Sequence, residues 1–108
     1  MERIPDEALV IRGGRNLPDD IRRGISTHPS GITGISVECA LGASVEALAA
    51  VIPHGQLGCT TVGKIRQAGG DVVRTSGRSL NHATLVGLTP EQISSLFTPT
   101  IPKPRQIQ

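Results

Sequence analysis

Short apolar runs and alternating segments along the chain predict four β-strands. Residues 8–11 are continuously apolar and are followed by an arginine and two glycines, which indicates a buried strand that ends in a flexible corner. Residues 34–40 alternate between apolar and polar side chains, as expected of a strand with one buried face. Residues 72–73 and 82–86 predict two further strands, which the polar loop 76–79 joins as a wide hairpin.

Capping residues and glycine stops predict the helices. A serine begins the predicted helix 44–52, and a threonine at position 60 or 61 begins a second helix that a pair of glycines ends at residue 69. The sequence Thr89-Pro90-Glu91-Gln92 forms a capping box with proline at the first helical position, which predicts a helix to Phe97. A shorter helical segment is predicted at residues 21–23.

Together these elements predict one small α+β domain. A chain of 108 residues has the size of a single domain. The predicted architecture is a small, mainly antiparallel sheet with three to four short helices, and it covers residues 1–98. Residues 99–108 carry prolines among polar and basic side chains, so we expect them to form an extended or disordered tail.

Composition and charge restrict the kind of partner. The net charge of +2 is too small to indicate a polyanion, and Phe97 is the single aromatic residue, which excludes an aromatic platform for stacking bases. A nucleic acid would therefore have to be bound through its phosphates. The segment 64–78 is locally basic, and it is either a solvated surface or a phosphate-binding face; its basic residues are Lys64, Arg66, Arg74 and Arg78.

Neither a metal site nor a membrane segment is predicted. Cys39 and Cys59 lie twenty positions apart without a CxxC motif or clustered histidines, so zinc lacks ligands at suitable spacing, and both cysteines are expected to be buried free thiols. The sequence contains no run of about 20 apolar residues and no signal-peptide pattern at its start. We therefore expect a cytoplasmic protein without a bound metal.

His82 is the histidine whose surroundings point most clearly to chemistry. Alternation along the strand sends His82 and Thr84 to the same face, where an imidazole beside a hydroxyl serves acid–base catalysis or the binding of a ribose or phosphate. The alternative is a simple polar pair on the surface of a strand. His28 precedes a proline in a loop and is expected to be exposed, whereas His54 is expected to interact with a helix end.

The order of these pieces resembles the three-part layout of ADP-ribosyltransferase-fold domains. The resemblance rests on the run Leu9-Val10-Ile11-Arg12-Gly13, on Gly34-Ile35-Ser36-Val37 with the helix that follows, and on the late polar strand. It implies that Arg12, with Gly13 beside it, binds the phosphates or ribose of NAD. It further implies that Ser36 supports the nicotinamide ribose and that His82 with Thr84 stabilises the developing oxocarbenium ion.

The late strand is more similar to that of certain small bacterial toxins of this fold, which carry His-x-Thr in place of a glutamate. The chain also resembles a set of short bacterial proteins of unassigned activity, through the motif of residues 61–69, the late histidine and the ending Phe97-Thr98-Pro99. The resemblance covers about residues 8–99. It implies a toxin-like, ADP-ribosyltransferase-like domain that uses NAD and has an antitoxin or immunity protein as its partner.

Two other classes of function stay open. A metal-independent ribonuclease of RelE-like or colicin-like type would use His82 and His54 for proton transfer, with RNA phosphate bound by Lys64, Arg74 and Arg78. A non-catalytic interaction domain would instead use its basic stretch and proline-containing tail on an acidic partner. Both enzyme hypotheses require Arg12 and His82 to face one cleft, and separation of the two on opposite faces of the sheet would contradict the shared site.

Overall fold

An antiparallel sheet organises the chain in the computed structural model, which describes residues 2–105. The strands are β1 (Leu9–Gly13), β2 (Ser26–Thr27), β3 (Thr33–Ala40), β4 (Gln56–Thr61), β5 (Asp71–Arg74), β6 (His82–Val86) and β7 (Ile101–Pro102). The helices are α1 (Pro18–Gly24), α2 (Val45–Ala49), α3 (Val62–Gln67) and α4 (Pro90–Phe97). The strand order is β5-β6-β3-β1-β4-β7, with β2 attached to β3, and every pairing is antiparallel. The predicted α+β class is confirmed.

Side-chain caps begin three of the helices as the sequence predicts. Ser44 Oγ accepts a hydrogen bond from Ala47 N at 3.0 Å, and Thr61 Oγ1 accepts one from Lys64 N at 3.3 Å. Thr89 forms the complete capping box with Gln92. These bonds satisfy amide groups that have no partner inside the helix. The helix predicted over residues 44–52 is shorter than expected, because α2 ends at Ala49.

Strand β4 is an element that the sequence pattern missed. Its polar residues and its glycine conceal the alternation, although Leu57 is buried. Gly58 explains part of this composition, because a side chain at this position would overlap the carbonyl oxygen of Phe97. The glycine thus allows the end of α4 to approach the sheet closely.

The segment after Phe97 is extended and is paired with the sheet. Strand β7 lies along β4, and Lys103 N donates to Gly55 O at 2.9 Å while Lys103 Nζ donates to Ile52 O at 2.6 Å. The hydrogen-bonded part of the domain therefore continues from residue 98 to Lys103. Residues 106–108 of the expected tail lie outside the described residues.

The sheet has a different cover on each face. On one face the core residues of β1, β3, β5 and β6 pack with Ile21 of α1, Ile65 of α3 and Phe97 of α4. On the other, which we call the α2 face, Leu48, Ala49 and Ile52 pack over Ile11 and Leu57. Because α2 is short, it covers only part of this face. Within residues 2–105, no helix is long and apolar enough to cross a membrane.

The buried thiol of Cys39 makes the fold sensitive to alkaline pH. Cys39 is fully buried, and this burial raises its pKa from 9.0 to about 11. The thiol therefore ionises at lower pH in the unfolded chain than in the folded one. We predict that stability is complete below pH 9 and falls by up to about 1.4 kcal/mol per pH unit as the pH rises towards 11.

Chemical denaturation between pH 8 and pH 11 measures this effect in the wild type and in Cys39→Ala. The variant retains Cys59 and both lysines, so its decline between pH 9 and 11 should be clearly shallower. Equal slopes in the two proteins would show that Cys39 is not the source of the alkaline sensitivity.

Candidate functional site

Three adjacent strands, β1, β3 and β6, carry the predicted catalytic residues Ser36, His82 and Thr84 and the predicted NAD-binding residues Arg12 and Gly13. Glu38 of β3 lies opposite Ile11 of β1 on one side and opposite His82 of β6 on the other. Ser36 lies opposite Thr84. Because directly paired residues share a face, the α2 face brings together Ser36, Thr84 and His82, and it adds Glu38.

Glu38 is more buried than the alternation of residues 34–40 predicts for a polar residue of that strand. Only 8% of its surface is exposed, and its Oε1 atom is buried without a hydrogen-bond partner in the described part of the chain. The alternation identified the correct face. It could not show that this face is partly covered. The cover includes Ile52, a residue that follows α2 and lines the same cavity as Glu38.

Thr75 contacts the imidazole of His82, and Thr84 contacts Thr75. Thr75 Oγ1 lies 2.9 Å from His82 Nδ1 and 2.9 Å from Thr84 Oγ1. The hydroxyl of Thr84 is thus committed to Thr75 and positions His82 indirectly. With Nδ1 in contact with Thr75, Nε2 is the ring nitrogen available to a ligand.

His28 stacks on His82 and is half-buried, although it was expected to be exposed. The two ring centroids lie 5.9 Å apart. His28 Nε2 donates to the carbonyl oxygen of Ser76 at 2.8 Å, and Ser30 N donates to His28 Nδ1 at 3.0 Å. His28 therefore connects the β2–β3 hairpin to the loop between β5 and β6 and restrains the ring of His82.

The guanidinium of Arg12 lies on the opposite face of the sheet from His82. Alternation places the Arg12 side chain away from the α2 face, and a side chain at Gly24 would lie 2.6 Å from Arg12 Nη2 and 3.1 Å from Ile35 Cδ1. Burial lowers the pKa of Arg12, and the charge of Asp20 opposes this shift. The sequence analysis expected Arg12 and His82 to act side by side, and the structure does not bring their charged groups together in this way.

Asn16 shapes the corner between β1 and α1, a role that was not predicted. Its φ is 58°, its side chain is fully buried, and its Nδ2 donates to Arg12 O at 3.0 Å and to Gly14 O at 3.2 Å. Its Oδ1 accepts from Arg12 Nη1 at 2.7 Å. Asparagine tolerates this left-handed conformation better than most residues, so a single asparagine after Gly-Gly-Arg was the available indication in the sequence.

Three adjoining cavities, two of them lined by the end of β1, follow one another along the sheet, and we call them together the β1 groove. The basic cavity, of about 440 Å³, is lined by Arg12, Gly13, Gly14, Arg15, Asp20, Arg23, His54, Gly55 and Gln56. The middle cavity, of about 130 Å³, is lined by Ile11, Arg12, Gly13, Ser36, Val37, Glu38, Ile52 and His82. The outer cavity, of about 340 Å³, is lined by Glu38, Val51, Ile52, Gly77, Arg78, Ser79 and His82.

Shared lining residues connect these cavities. Arg12 and Gly13 line both the basic and the middle cavity, and Glu38, Ile52 and His82 line both the middle and the outer cavity. Arg12 and His82 therefore both line the middle cavity, but their side chains lie on opposite faces of the sheet, with the guanidinium of Arg12 towards α1. The shared site that both enzyme hypotheses require of these two side chains is thus not formed by them.

Gly13 is essential to this geometry. A side chain at Gly13 would lie 2.5 Å from Ile52 Cγ2 and 2.6 Å from His54 Cδ2. The glycine therefore permits both residues to pack over the end of β1, between the basic and the middle cavity.

The cations predicted to bind phosphate are dispersed. Arg78 lines the outer cavity with His82, whereas Lys64 is exposed on α3 and lines none of these cavities. Arg74 donates to Cys39 O at 2.8 Å and pairs with Glu2 at 3.4 Å, so its contacts are structural. His54 lies in the basic cavity and shares no part of the groove with His82. The two histidines of the ribonuclease hypothesis are thus apart.

Arg15 and Arg23, which the sequence analysis did not select, add positive charge to the basic cavity. Both donate to the same carboxylate oxygen of Asp20. The hydrogen bond from Arg15 is the main cause of the lowered pKa of Asp20. Two guanidinium groups therefore contact one carboxylate in this cavity, and Arg12 lines the same cavity.

Comparison of the chain with protein-family models, curated proteins and solved structures finds no match. The interpretation of the β1 groove therefore depends on its geometry and chemistry.

The contacts of Asn16 predict a large effect on stability. Asn16→Ala leaves two partly buried carbonyl oxygens without their donor and retains the unfavourable left-handed backbone, so we expect a loss of about 2 to 3 kcal/mol. Asn16→Gly loses the same hydrogen bonds and relieves the backbone, so it should be the more stable variant by about 1 kcal/mol.

Urea denaturation of the wild type and the two variants measures both differences. An alanine variant as stable as the wild type would show that the buried amide does not support the corner.

Proposed function

We propose that this chain binds NAD or a related nucleotide in the β1 groove and cleaves or transfers its ADP-ribosyl group, as a small toxin-like domain of ADP-ribosyltransferase-like fold. The observation that carries the proposal is that the basic cavity, which Arg12 lines, adjoins the middle cavity, which His82 lines, while the guanidinium of Arg12 lies on the other face of the sheet. An antitoxin or immunity protein would be the partner of such a domain.

Strand adjacency supports the resemblance on which the proposal draws. The roles of phosphate ligand, ribose ligand and stabiliser of the reacting carbon fall on β1, β3 and β6, and these strands are neighbours in the order β6-β3-β1. Two spacings between strands amount to about 10 Å. A nucleotide is long enough to reach from one end of this arrangement to the other.

The basic cavity has the charge that a pyrophosphate requires. Arg12, Arg15 and Arg23 supply three guanidinium groups against the single carboxylate of Asp20. Guanidinium groups bind phosphate oxygens in a two-pronged geometry, and partial burial strengthens the attraction. The incoming phosphates would compete with Asp20 for the groups of Arg15 and Arg23.

The other end of the groove has groups suited to a sugar and to proton transfer. The hydroxyl of Ser36 is exposed, and the oriented imidazole of His82 presents Nε2. Hydroxyl and imidazole groups both hydrogen-bond to ribose hydroxyls. An imidazole also accepts a proton from an attacking water or alcohol near neutral pH.

The geometry favours this proposal over the ribonuclease alternative. A two-histidine mechanism needs both imidazoles at one phosphate, whereas His54 and His82 line different cavities. The cations assigned to RNA phosphate are likewise distributed between an exposed helix, a structural ion pair and the outer cavity. The interaction-domain alternative predicts partner binding without NAD chemistry, so measurements of NAD binding and nicotinamide release distinguish it from the proposal.

Arg12→Lys and His82→Ala test the two ends of the groove, with Lys64→Ala as a control that removes a cation outside it. Arg12→Lys should weaken NAD binding by about 10- to 100-fold, because a lysine replaces the two-pronged guanidinium group with a single point charge. His82→Ala should retain most of the binding and lose nicotinamide release. Lys64→Ala should behave as the wild type does.

Titration calorimetry with NAD and a nicotinamide-release assay, with and without bacterial lysate as acceptor, provide the two measurements. A wild-type protein that neither binds NAD nor releases nicotinamide would contradict the proposal. If that protein instead cleaved RNA to cyclic phosphate ends, the ribonuclease alternative would replace it.

A further inference from the structure

We infer that Asp20 determines which anions the basic cavity accepts, because it pairs with the guanidinium groups that a ligand must use and so admits pyrophosphate and excludes carboxylate ligands. The inference deepens the proposed function, on whose assignment of the phosphate end it rests. It assigns the specificity of this end of the β1 groove to Asp20 and gives that residue no part in the chemistry at the other end.

The first observation is that one carboxylate oxygen is shared by two cations. Asp20 Oδ1 accepts a hydrogen bond from Arg15 Nη2 at 3.0 Å and another from Arg23 Nη2. All three residues line the basic cavity. A ligand that binds to these guanidinium groups must therefore take donors away from Asp20.

The second observation is that the carboxylate is held in a fixed position in the wall of the cavity. Its other oxygen, Oδ2, accepts a hydrogen bond from Leu17 N at 3.2 Å, and the Asp20 side chain is only 17% exposed. The hydrogen bond from Arg15 is the main cause of the lowered pKa of Asp20, so the carboxylate stays ionised at neutral pH. Asp20 therefore presents a permanent negative charge to the two guanidinium groups.

The third observation is that these ion pairs are easily exchanged. The side chains of Arg15 and Arg23 are 61% and 68% exposed. Ion pairs between exposed side chains are individually weak, because water and salt compete with them. Both arginines can therefore turn from Asp20 to an anion in the cavity while the fold is retained. Asp20 thus competes with a ligand and does not block it.

Competition with a carboxylate selects against other carboxylates. Asp20 is attached beside the guanidinium groups, which gives it an effective concentration on the order of millimolar or higher. A free carboxylate offers the same kind of oxygen and gains nothing by replacing it. A pyrophosphate presents more oxygens and binds guanidinium groups through paired, charge-assisted hydrogen bonds. The cavity therefore distinguishes pyrophosphate from a carboxylate anion of similar charge.

Asp20→Asn is the decisive variant, because it removes the charge and keeps an oxygen that accepts from Leu17 N. Asp19→Asn is the matched control. Asp19 lies in the same first turn of α1 and pairs with Arg22 at 2.7 Å, but it lines none of the three cavities of the groove. Both substitutions change the net charge of the protein equally.

Titration calorimetry at low ionic strength measures the binding of inorganic pyrophosphate and of citrate, which carries a similar charge on carboxylates alone. We expect the wild type to bind pyrophosphate and not citrate. Asp20→Asn should bind pyrophosphate about tenfold more tightly, because two exposed ion pairs, each worth a few-fold, no longer compete. It should also gain measurable citrate binding. Asp19→Asn should match the wild type with both probes.

Asp20→Gln gives a second neutral variant if the asparagine variant does not fold, as judged by thermal denaturation. Position 20 is the third residue of α1, and glutamine at the corresponding position of α4, Gln92, completes a capping box. The glutamine variant should show the same gain in pyrophosphate affinity and the same acceptance of citrate.

Three results would overturn the inference. They are a folded neutral variant with wild-type affinity for pyrophosphate, an equal gain in Asp19→Asn, and a wild type that binds citrate as tightly as pyrophosphate or binds neither. NAD binding and nicotinamide release test the proposed function separately. Intact NAD cleavage with any of these results would overturn the inference alone. Pyrophosphate selectivity that depends on Asp20, in a protein that neither binds nor cleaves NAD, would overturn the proposed function and leave this specificity in place.

Discussion

The register in which β1, β3 and β6 pair determines which side chains of this chain meet. Ile11, Glu38 and His82 lie in one row across the three strands, and Ser36 and Thr84 form the neighbouring pair. A shift of one residue in either pairing would exchange the two faces of a strand. The polar groups would then be placed in the apolar core, and the groove would lose its chemistry. The core and the site thus depend on the same hydrogen-bonded alignment.

The corner after β1 is the second constraint on the site. The side chain of Asn16 donates hydrogen bonds to the carbonyl groups of Arg12 and Gly14 and so stabilises this corner. Gly13 leaves room for Ile52 and His54 above the strand. These contacts fix where the basic cavity adjoins the middle one. The short helix α2 has a complementary role, because it ends before Ile52 and leaves part of the sheet open over Glu38 and His82.

Local patterns in the sequence predict much of the fold. Apolar alternation locates β3 and β6, and capping residues locate α2, α3 and α4, because these preferences operate within a few residues. The sequence pattern does not predict strand β4, because its composition depends on a contact between Gly58 and the end of α4, which is distant in the chain. Its partner β7 is hidden for a similar reason, because Ile101 and Pro102 pair with residues 56 and 57, far away in the chain.

The site is predicted less completely, because it depends on which strands are neighbours and on what covers them. Alternation alone places His82 and Thr84 on one face of their strand and Ser36 on the outer face of its own, and the register between β3 and β6 makes these one face. The burial of Glu38, the separation of Arg12 from His82 and the charge supplied by Arg15 and Arg23 all arise from packing between distant segments. For the same reason, the basic residues of segment 64–78 do not form one surface. Some of them form ion pairs, such as Arg66 with Asp6 and Asp71, and others are exposed.

The most direct test of the central claim is an NMR titration of the ¹⁵N-labelled protein with NAD. We predict that the largest amide shifts fall on both ends of the β1 groove, at Gly13, Gly14, Ser36, Glu38 and His82, while residues of α3 stay unchanged. A saturating titration that leaves these amides unchanged, or that shifts α3 alone, would contradict the assignment of this groove as a nucleotide site.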